Sequence, residues 1–351
     1  MKTWWDVYGQ ERELFVLCGY KGDQLIGIAP LSIGKSTTSY FKFLNYKTIW
    51  FLGSGTTSAR GVLSEYLDFI IKRGYEDEFV EGFFHYMNSH NAWDEVLLEN
   101  ISSDSPLPSL LKKCTAKSSF VFKVVNKGTS ILINLPKSWE EYLKSISSSL
   151  RYKIRRGRKE FSKIGGSYHL VTNESDLPKA FADLEKLHQR RWSNKGIAGA
   201  FSSPEWKSFH EKLIPMLFEK GQLKLSFLII GKDPVAANYN FAFDNKIHYF
   251  QSGMIPHQNK HVRLGLLLHS YCIEEAIQQG YREYDFLIRS ESGIDYKDMW
   301  GNCSRDLLKI RLSKNSAKES LFATLTNMKD FAGKAKSVIA KATRKIKASR
   351  N

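Results

Sequence analysis

One strand–turn–strand pattern occurs twice in this chain, and that repetition limits the folds open to it. Residues 13–33, ELFVLCGYKGDQLIGIAPLSI, place two runs of strand-forming residues around Lys21-Gly22-Asp23. Residues 222–243, QLKLSFLIIGKDPVAANYNFAF, do the same around Gly231-Lys232-Asp233-Pro234. Branched and aromatic residues flanking a Gly/Asp turn read as a hairpin. In both, the second strand is rich in small residues. The hairpins lie about 210 positions apart, a period too long and too rarely repeated for a solenoid. The echo continues downstream. EDEFVEGFFHYMNSH (76–90) reads as a helix and WDEVLLEN (93–100) as a strand. In the second half, DNKIHYFQSGMIP (244–256) reads as a strand, RLGLLLHSYCIEEAIQQG (263–280) as a helix and YREYDFLIR (281–289) as a strand. That helix rests on Leu266, Leu267, Ser270, Ile273, Ala276 and Ile277 at helical spacing, with Gly280 as its stop. Helical stretches at 138–163, 176–192 and 204–220 precede the second hairpin, while 114–130 reads as the passage between domains. The expected class is mixed α/β.

With 351 residues, 42% of them hydrophobic, the chain can bury a sizeable core and is long enough for two domains. The net charge of +16 is concentrated. Residues 151–163 carry +6 and residues 314–351 carry +8, so the remainder is nearly neutral. Anionic partners are expected at those two segments. In 314–351, Leu321, Leu325, Met328, Ala332, Ala335, Ile339, Ala342 and Ile346 recur every three or four residues among Lys and Arg. The pattern reads as a basic amphipathic helix suited to an anionic membrane. Within 147–163, Leu150, Ile154, Gly157 and Phe161 form one stripe of a helix N-capped within Ser147–Ser149, and Arg151, Arg155 and Arg158 share a neighbouring face. That stripe is what a packed helix needs. The run has little aromatic interleaving beyond Tyr152 and Phe161, so a nucleic-acid arm is not the favoured reading.

Cys18, Cys114, Cys272 and Cys303 form no CxxC pair and gather no His, which points to free thiols and to no metal site. The N-terminal MKTWWDVYGQERE lacks an apolar signal core, and no run reaches the roughly 20 apolar residues of a membrane span, so a cytoplasmic location is expected. GxSxG, Walker GxxxxGK[ST] and HExxH motifs are all absent. The junction HQNKHVRLGLLLHSY leads from a strand into a helix start, where backbone N–H groups and the helix dipole attract phosphate, with Lys260, Arg263 and Gly265 alongside. It is equally a plain strand–helix loop. Asp285 interrupts an apolar strand and is either solvated by alternation, salt-bridged or held in a site. Tyr296, Lys297 and Trp300 follow just past that strand, where α/β folds bind ligands. KLHQRRWSNKGIAGAF (186–201) ends a helix with Arg190, Arg191 and Trp192, as a substrate-gating loop or as a terminus answering the helix dipole.

WEEYLKSISSSLRYKIRRGRKEF, LHQRRW, YFQSG and YREYDFLIRSESGIDYKDMW, together with TWWDVYG, IGIAPL and FLGSGTTSARGVLSEYLDFII, cover nearly all of residues 3–312. As an ordered set they resemble the CelD-type acyltransferases, GNAT-superfamily proteins associated with cellulose biosynthesis in bacteria and related to the Fem aminoacyl transferases. The resemblance implies two tandem GNAT-like domains, 1–128 and 129–313, followed by the basic tail 314–351. It starts almost at Met1, which leaves the first domain short of its opening strand and helix or places the true start upstream. It implies direct transfer of an acyl group from acetyl-CoA, without a metal, to an amine or hydroxyl of a cell-envelope saccharide precursor or similar acceptor. By the same resemblance Gln251, Ser252 and Gly253 meet the thioester, and Arg263 and Gly265 the cofactor pyrophosphate. Asp285 becomes the base or acceptor-orienting group. Arg151, Arg155 and Lys297 then hold phosphate or carboxylate, and Trp192, Tyr296 and Trp300 shape the acceptor pocket. The family's loop carries Q/R-x-x-G-x-G/A, whereas HVRLGLLL has Gly265 as its single glycine. The alternatives are a Fem-like transfer from aminoacyl-tRNA and a non-enzymatic protein binding nucleic acid or an anionic surface. A peripheral position at the inner face of the membrane is compatible with the enzyme reading.

Overall fold

The structure is a computed structural model that describes residues 1–36, 46–56, 64–90, 92–194, 196–288, 296–314, and the single positions 320, 321 and 324. The amphipathic helix expected over 314–351 therefore lies outside the described residues, apart from Lys314 and those single positions.

The first half opens with helix α1 (Lys2–Tyr8) and the hairpin β1 (Arg12–Lys21) and β2 (Gln24–Lys35). Then come β3 (Lys47–Phe51), the two-residue β4 (Ile70–Ile71), α2 (Glu76–Ser89), β5 (Glu95–Ser102), α3 (Leu107–Thr115) and β6 (Phe120–Asn134). The second half runs α4 (Trp139–Ser145), α5 (Ser148–Lys163), β7 (Gly166–Leu170), α6 (Leu177–Ser193), α7 (Pro204–Glu219), β8 (Leu223–Ile230) and β9 (Asp233–Phe243). It ends with β10 (Lys246–Met254), α8 (Leu264–Gln278), β11 (Glu283–Ile288) and β12 (Cys303–Lys314). Both hairpins form. Their turns use Gly22 and Gly231 at φ 58° and 65°, a conformation glycine adopts without a Cβ penalty.

The halves share one plan. In each, an antiparallel meander (β1-β2-β3 and β8-β9-β10) is followed by a helix (α2 and α8) and a strand parallel to the meander's last strand (β5 beside β3, β11 beside β10). All twelve strands belong to one sheet of order β1-β2-β3-β5-β12-β6-β11-β10-β9-β8-β7, with β4 on β2. The last strand of each half sits against the other half: β12 pairs with β5, β6 pairs with β11, and the two pair with each other. The segment read as an inter-domain passage is thus largely β6, fifteen residues long and central in the sheet, and the expected boundary at 128/129 falls inside it.

One core lies under α2 and α3 in the first half and another under α5 and α8 in the second. A third joins α6 and α7 and takes in Trp4 of α1. The stripe Leu150, Ile154, Gly157 and Phe161 of α5 is buried, and Ser147 caps the helix through Leu150 N. A Cβ on Gly157 would come within 2.9 Å of Leu267 and 3.0 Å of the His261 carbonyl, so this glycine sets how closely α5 approaches α8.

Candidate active site

The parallel pairing of β10 with β11 is short. Lys246, Ile247 and His248 face Glu283, Tyr284 and Asp285, and beyond them the strands part. β10 bulges there: Tyr249 faces Asn240 and Gln251 faces Tyr239, leaving Phe250 as the extra residue against β9. β11 also breaks its ladder, shifting register against β6 between Asp285 and Ile288, with Leu287 at φ 59°. A branched side chain in the left-handed region is strained and has to be held there by its surroundings. Lys297 does part of the holding. Its Nζ donates to the carbonyls of Phe286 at 2.7 Å, Ile288 at 2.8 Å and Leu287 at 3.4 Å. The ammonium satisfies β11 where a neighbouring strand would have done so. The edge of β10 past His248 then faces a gap in the sheet, and backbone amides at such a gap can stabilise charge developing on a carbonyl oxygen.

The base of this gap draws on both halves. Asp285 is fully buried. Its Oδ1 accepts from the Ser130 hydroxyl and from Leu287 N at 2.7 Å, and its Oδ2 accepts from the Tyr66 hydroxyl. His248 Nδ1 and Arg305 each stand 3.9 Å from Oδ2. Burial, ahead of any charge effect, lowers the pKa of His248. Arg305 grips Glu283 with two 3.0 Å hydrogen bonds, which holds that carboxyl below its usual range against the opposing effect of burial. Tyr66 and Glu65 belong to the first half, and Tyr66 also has a left-handed backbone, at φ 58°. Asn100 pins this stretch: its Nδ2 donates to Ser64 O at 2.8 Å and its carbonyl accepts from Leu67 N at 3.2 Å. Glu65 Oε2 accepts from Ile288 N at 3.1 Å, at the end of the distorted β11. Part of Glu65 reaches the surface, but its carboxyl is enclosed, and desolvation raises its pKa to about 8, with Asp285 adding to the rise and Lys297 opposing it.

On the other side of the gap lies a cavity of about 470 Å³ lined by, among others, Arg191, Met254, Lys260, Arg263 and Gly265. It lies at the start of α8, where Arg263 is the N-cap residue and no side chain caps the helix. First-turn amides without a capping side chain, beside Lys260 and Arg263, suit an anionic group. A Cβ on Gly265 would touch only the end of Met254, at 3.0 Å. Gly253 is different. A Cβ there would lie 2.3 Å from His188 N, so its missing side chain is filled by the backbone of α6. A polar chain crosses the same region: Arg191 donates to Ser252 at 2.9 Å, Ser252 and Tyr249 share a 2.8 Å hydrogen bond, and Tyr296 donates to Tyr249 at 3.2 Å.

Asp285, Gln251, Ser252, Gly253, Tyr296 and Lys297 therefore gather around the parting strands, and Arg263 and Gly265 line the adjoining cavity. The others make different contacts. Arg151 donates to Leu143 O at 3.3 Å and Arg155 pairs with Glu140 at 2.9 Å, both on α4. Trp192 donates to His188 Nε2 at 3.0 Å. Trp300 is core, 2% exposed, with its carbonyl accepting from Tyr142 OH. Sequence reasoning missed Glu65, Tyr66, Ser130, His248 and Arg305. Glu65 and Tyr66 lie in an irregular stretch with Ser64 and Asp68 beside them, far from Asp285 along the chain, so no pattern marked them. Among the described residues, no group of three or more His, Cys, Asp or Glu could hold a metal ion, the four cysteines are free thiols, and no helix is long and apolar enough to cross a membrane.

Residues 148–298, which contain the bulged β10, the α8 start and Asp285, match the family model described as Acetyltransferase (GNAT) domain. Among solved structures, FemX superposes with a TM-score of 0.60 at 12% identity, covering 92% of this chain and 93% of that one. A conserved protein of unknown function from Bacteroides thetaiotaomicron VPI-5482 gives 0.54 at 10% identity, covering 89% and 88%. L-PGS from Bacillus licheniformis gives 0.51 at 11%, covering 92% and 90%. At these low identities the likeness is one of fold. No curated protein matches in sequence. Over residues 148–298 the chain is thus similar to GNAT acetyltransferase domains, which supports an acyltransferase enzyme.

Proposed function

We propose that this acyltransferase moves an acetyl group from acetyl-CoA to an amine or hydroxyl of a cell-envelope saccharide precursor or a similar acceptor. The observation that carries the donor half of the reading is the parting of β10 and β11 beside the uncapped start of α8. The gap can take an extended thioester arm, and the 470 Å³ cavity with Lys260 and Arg263 can take the diphosphate at its end. The β10 amides released by the bulge at Phe250 would meet the thioester carbonyl, and the Tyr296–Tyr249–Ser252–Arg191 chain would order the wall beside it. Asp285, bonded by Tyr66, Ser130 and Leu287, would keep β11 in its distorted course and so hold the acceptor side in place. The acceptor class rests on the sequence resemblance to CelD-type acyltransferases, and transfer is direct, within a ternary complex.

Acetyl-CoA binding is tested by thermal unfolding. A ligand that binds only the native state stabilises it by RT ln(1 + [L]/Kd), about 2.7 kcal/mol at a hundred times Kd. Acetyl-CoA at millimolar concentration should raise the melting temperature by several degrees. If neither acetyl-CoA nor CoA moves it, the donor is not a CoA thioester, and transfer from aminoacyl-tRNA becomes the reading to pursue.

A further inference from the structure

The proton removed from the acceptor needs a destination, and Asp285 is poorly placed to be it. Hydroxyl and amide donors from Tyr66, Ser130 and Leu287 already engage both its oxygens. Among the described residues, another carboxyl stands at the same strand end. Glu65 comes from the first half, and its carboxyl accepts a single backbone hydrogen bond from Ile288 N at 3.1 Å where β11 has turned away from β10. The stretch carrying it is held by two hydrogen bonds to Asn100 and by the Tyr66–Asp285 bond, so its placement is built into the fold.

We infer that Glu65 is the general base of the second half's site, supplied across the sheet by the first half. The inference rests on the acyl-transfer reading above. Glu65 takes the proton from the acceptor N–H or O–H. The acceptor's freed pair forms the new bond to the thioester carbonyl carbon, the C–S bond breaks, and the sulfur leaves with its electrons as CoA thiolate. The proton on Glu65 then passes to solvent and the thiolate takes one up, so the balance is acceptor–H plus acyl–S–CoA giving acceptor–acyl plus HS–CoA. Among the described residues, the groups facing Glu65 are Asp285 and the Ile288 amide of β11 and Lys297 from the turn after it. Burial puts its titration at about 8, suited to deprotonating an amine or a hydroxyl near neutral pH.

The test follows CoA thiol release from acetyl-CoA, with glucosamine as probe acceptor and with water alone, between pH 6 and 9.5. Wild type, Glu65→Gln and Glu65→Asp are compared. Gln keeps the acceptor for Ile288 N, so the fold should survive, and acetyl-CoA binding by thermal shift reports donor binding separately. The expected result is a wild-type rate that rises with pH to a midpoint near 8. Glu65→Gln should lose 10²-fold or more in kcat and lose the midpoint, with acetyl-CoA binding unchanged, and Glu65→Asp should recover part of the rate. A Glu65→Gln rate within threefold of wild type across the pH range overturns the inference. So does a wild-type midpoint below 6.5, which would point to His248. Loss of the acetyl-CoA thermal shift in wild type would instead sink the donor reading.

Discussion

Glu65 and Asp285 lie at the same strand end but in different environments. Asp285 accepts three hydrogen bonds, two on one oxygen and one on the other. Glu65 has the Ile288 amide, with burial as the larger effect on it. The consequence for stability can be worked out with its sign. The unfolded chain releases the Glu65 proton near 4.5, the ordinary value, while the folded chain holds it to about 8. The stabilisation from that proton is complete below 4.5, falls as pH rises through the window and is gone above about 8. Glu65→Gln does not titrate. Its melting temperature relative to wild type should therefore climb between pH 5 and pH 9, by the equivalent of a few kcal/mol at most. Calorimetry at several pH values checks this, and a constant difference would mean the carboxyl is ionised throughout. Little of this was legible in the sequence. Asp285 stood out because a carboxyl interrupted an apolar strand, whereas Glu65 sits in an irregular stretch with no periodicity to break. Its environment is made by residues more than two hundred positions away.

At the level of elements, α5 shows what patterning can and cannot reveal. The stripe Leu150, Ile154, Gly157 and Phe161 and the Ser147 cap were readable because burial and capping are local. The use of the basic face was not, because it depends on what packs alongside. Arg155 makes an exposed pair with Glu140, both side chains being more than half exposed. Arg158 lies between the rings of Trp139 and Tyr271, at 4.7 and 4.0 Å, and bonds Glu274 at 2.5 Å and Ser270 at 3.0 Å. Two arginines one turn apart should thus respond differently. Arg155→Ala should change stability by about 0–1 kcal/mol. Arg158→Ala should cost about 2–4 kcal/mol, through lost packing and an orphaned Glu274. Urea denaturation separates them. Equal small effects would show that the packing around Arg158 contributes nothing, and a loss of acetyl-CoA affinity in Arg155→Ala would show that the basic face meets a ligand.

At the level of the whole molecule, the echo between the two hairpins correctly signalled two halves on one plan, but the exchange of their last strands was hidden. Residues 303–314 and 120–134 carry charges that disguise a central strand, since their partners come from the other half. Arg311, 9% exposed, bonds Glu95 at 2.6 Å and Tyr46 at 3.0 Å, both in the first half. Ending the chain at Asn302 should expose the edges of β5 and β6 together and abolish soluble protein, which the soluble fraction on expression will show. A soluble, cooperatively folding product would mean that β12 is dispensable. The exchange also sets a schedule for synthesis. Ser102 of β5 leaves the ribosome long before its partner Leu307 exists, and chains grow at about 5–20 residues per second. For ten seconds or more the nascent first half carries an open sheet edge that no later residue can yet close. The chain is exposed to wrong pairings for that interval, and it ends only when β12, the final strand of the sheet, has emerged.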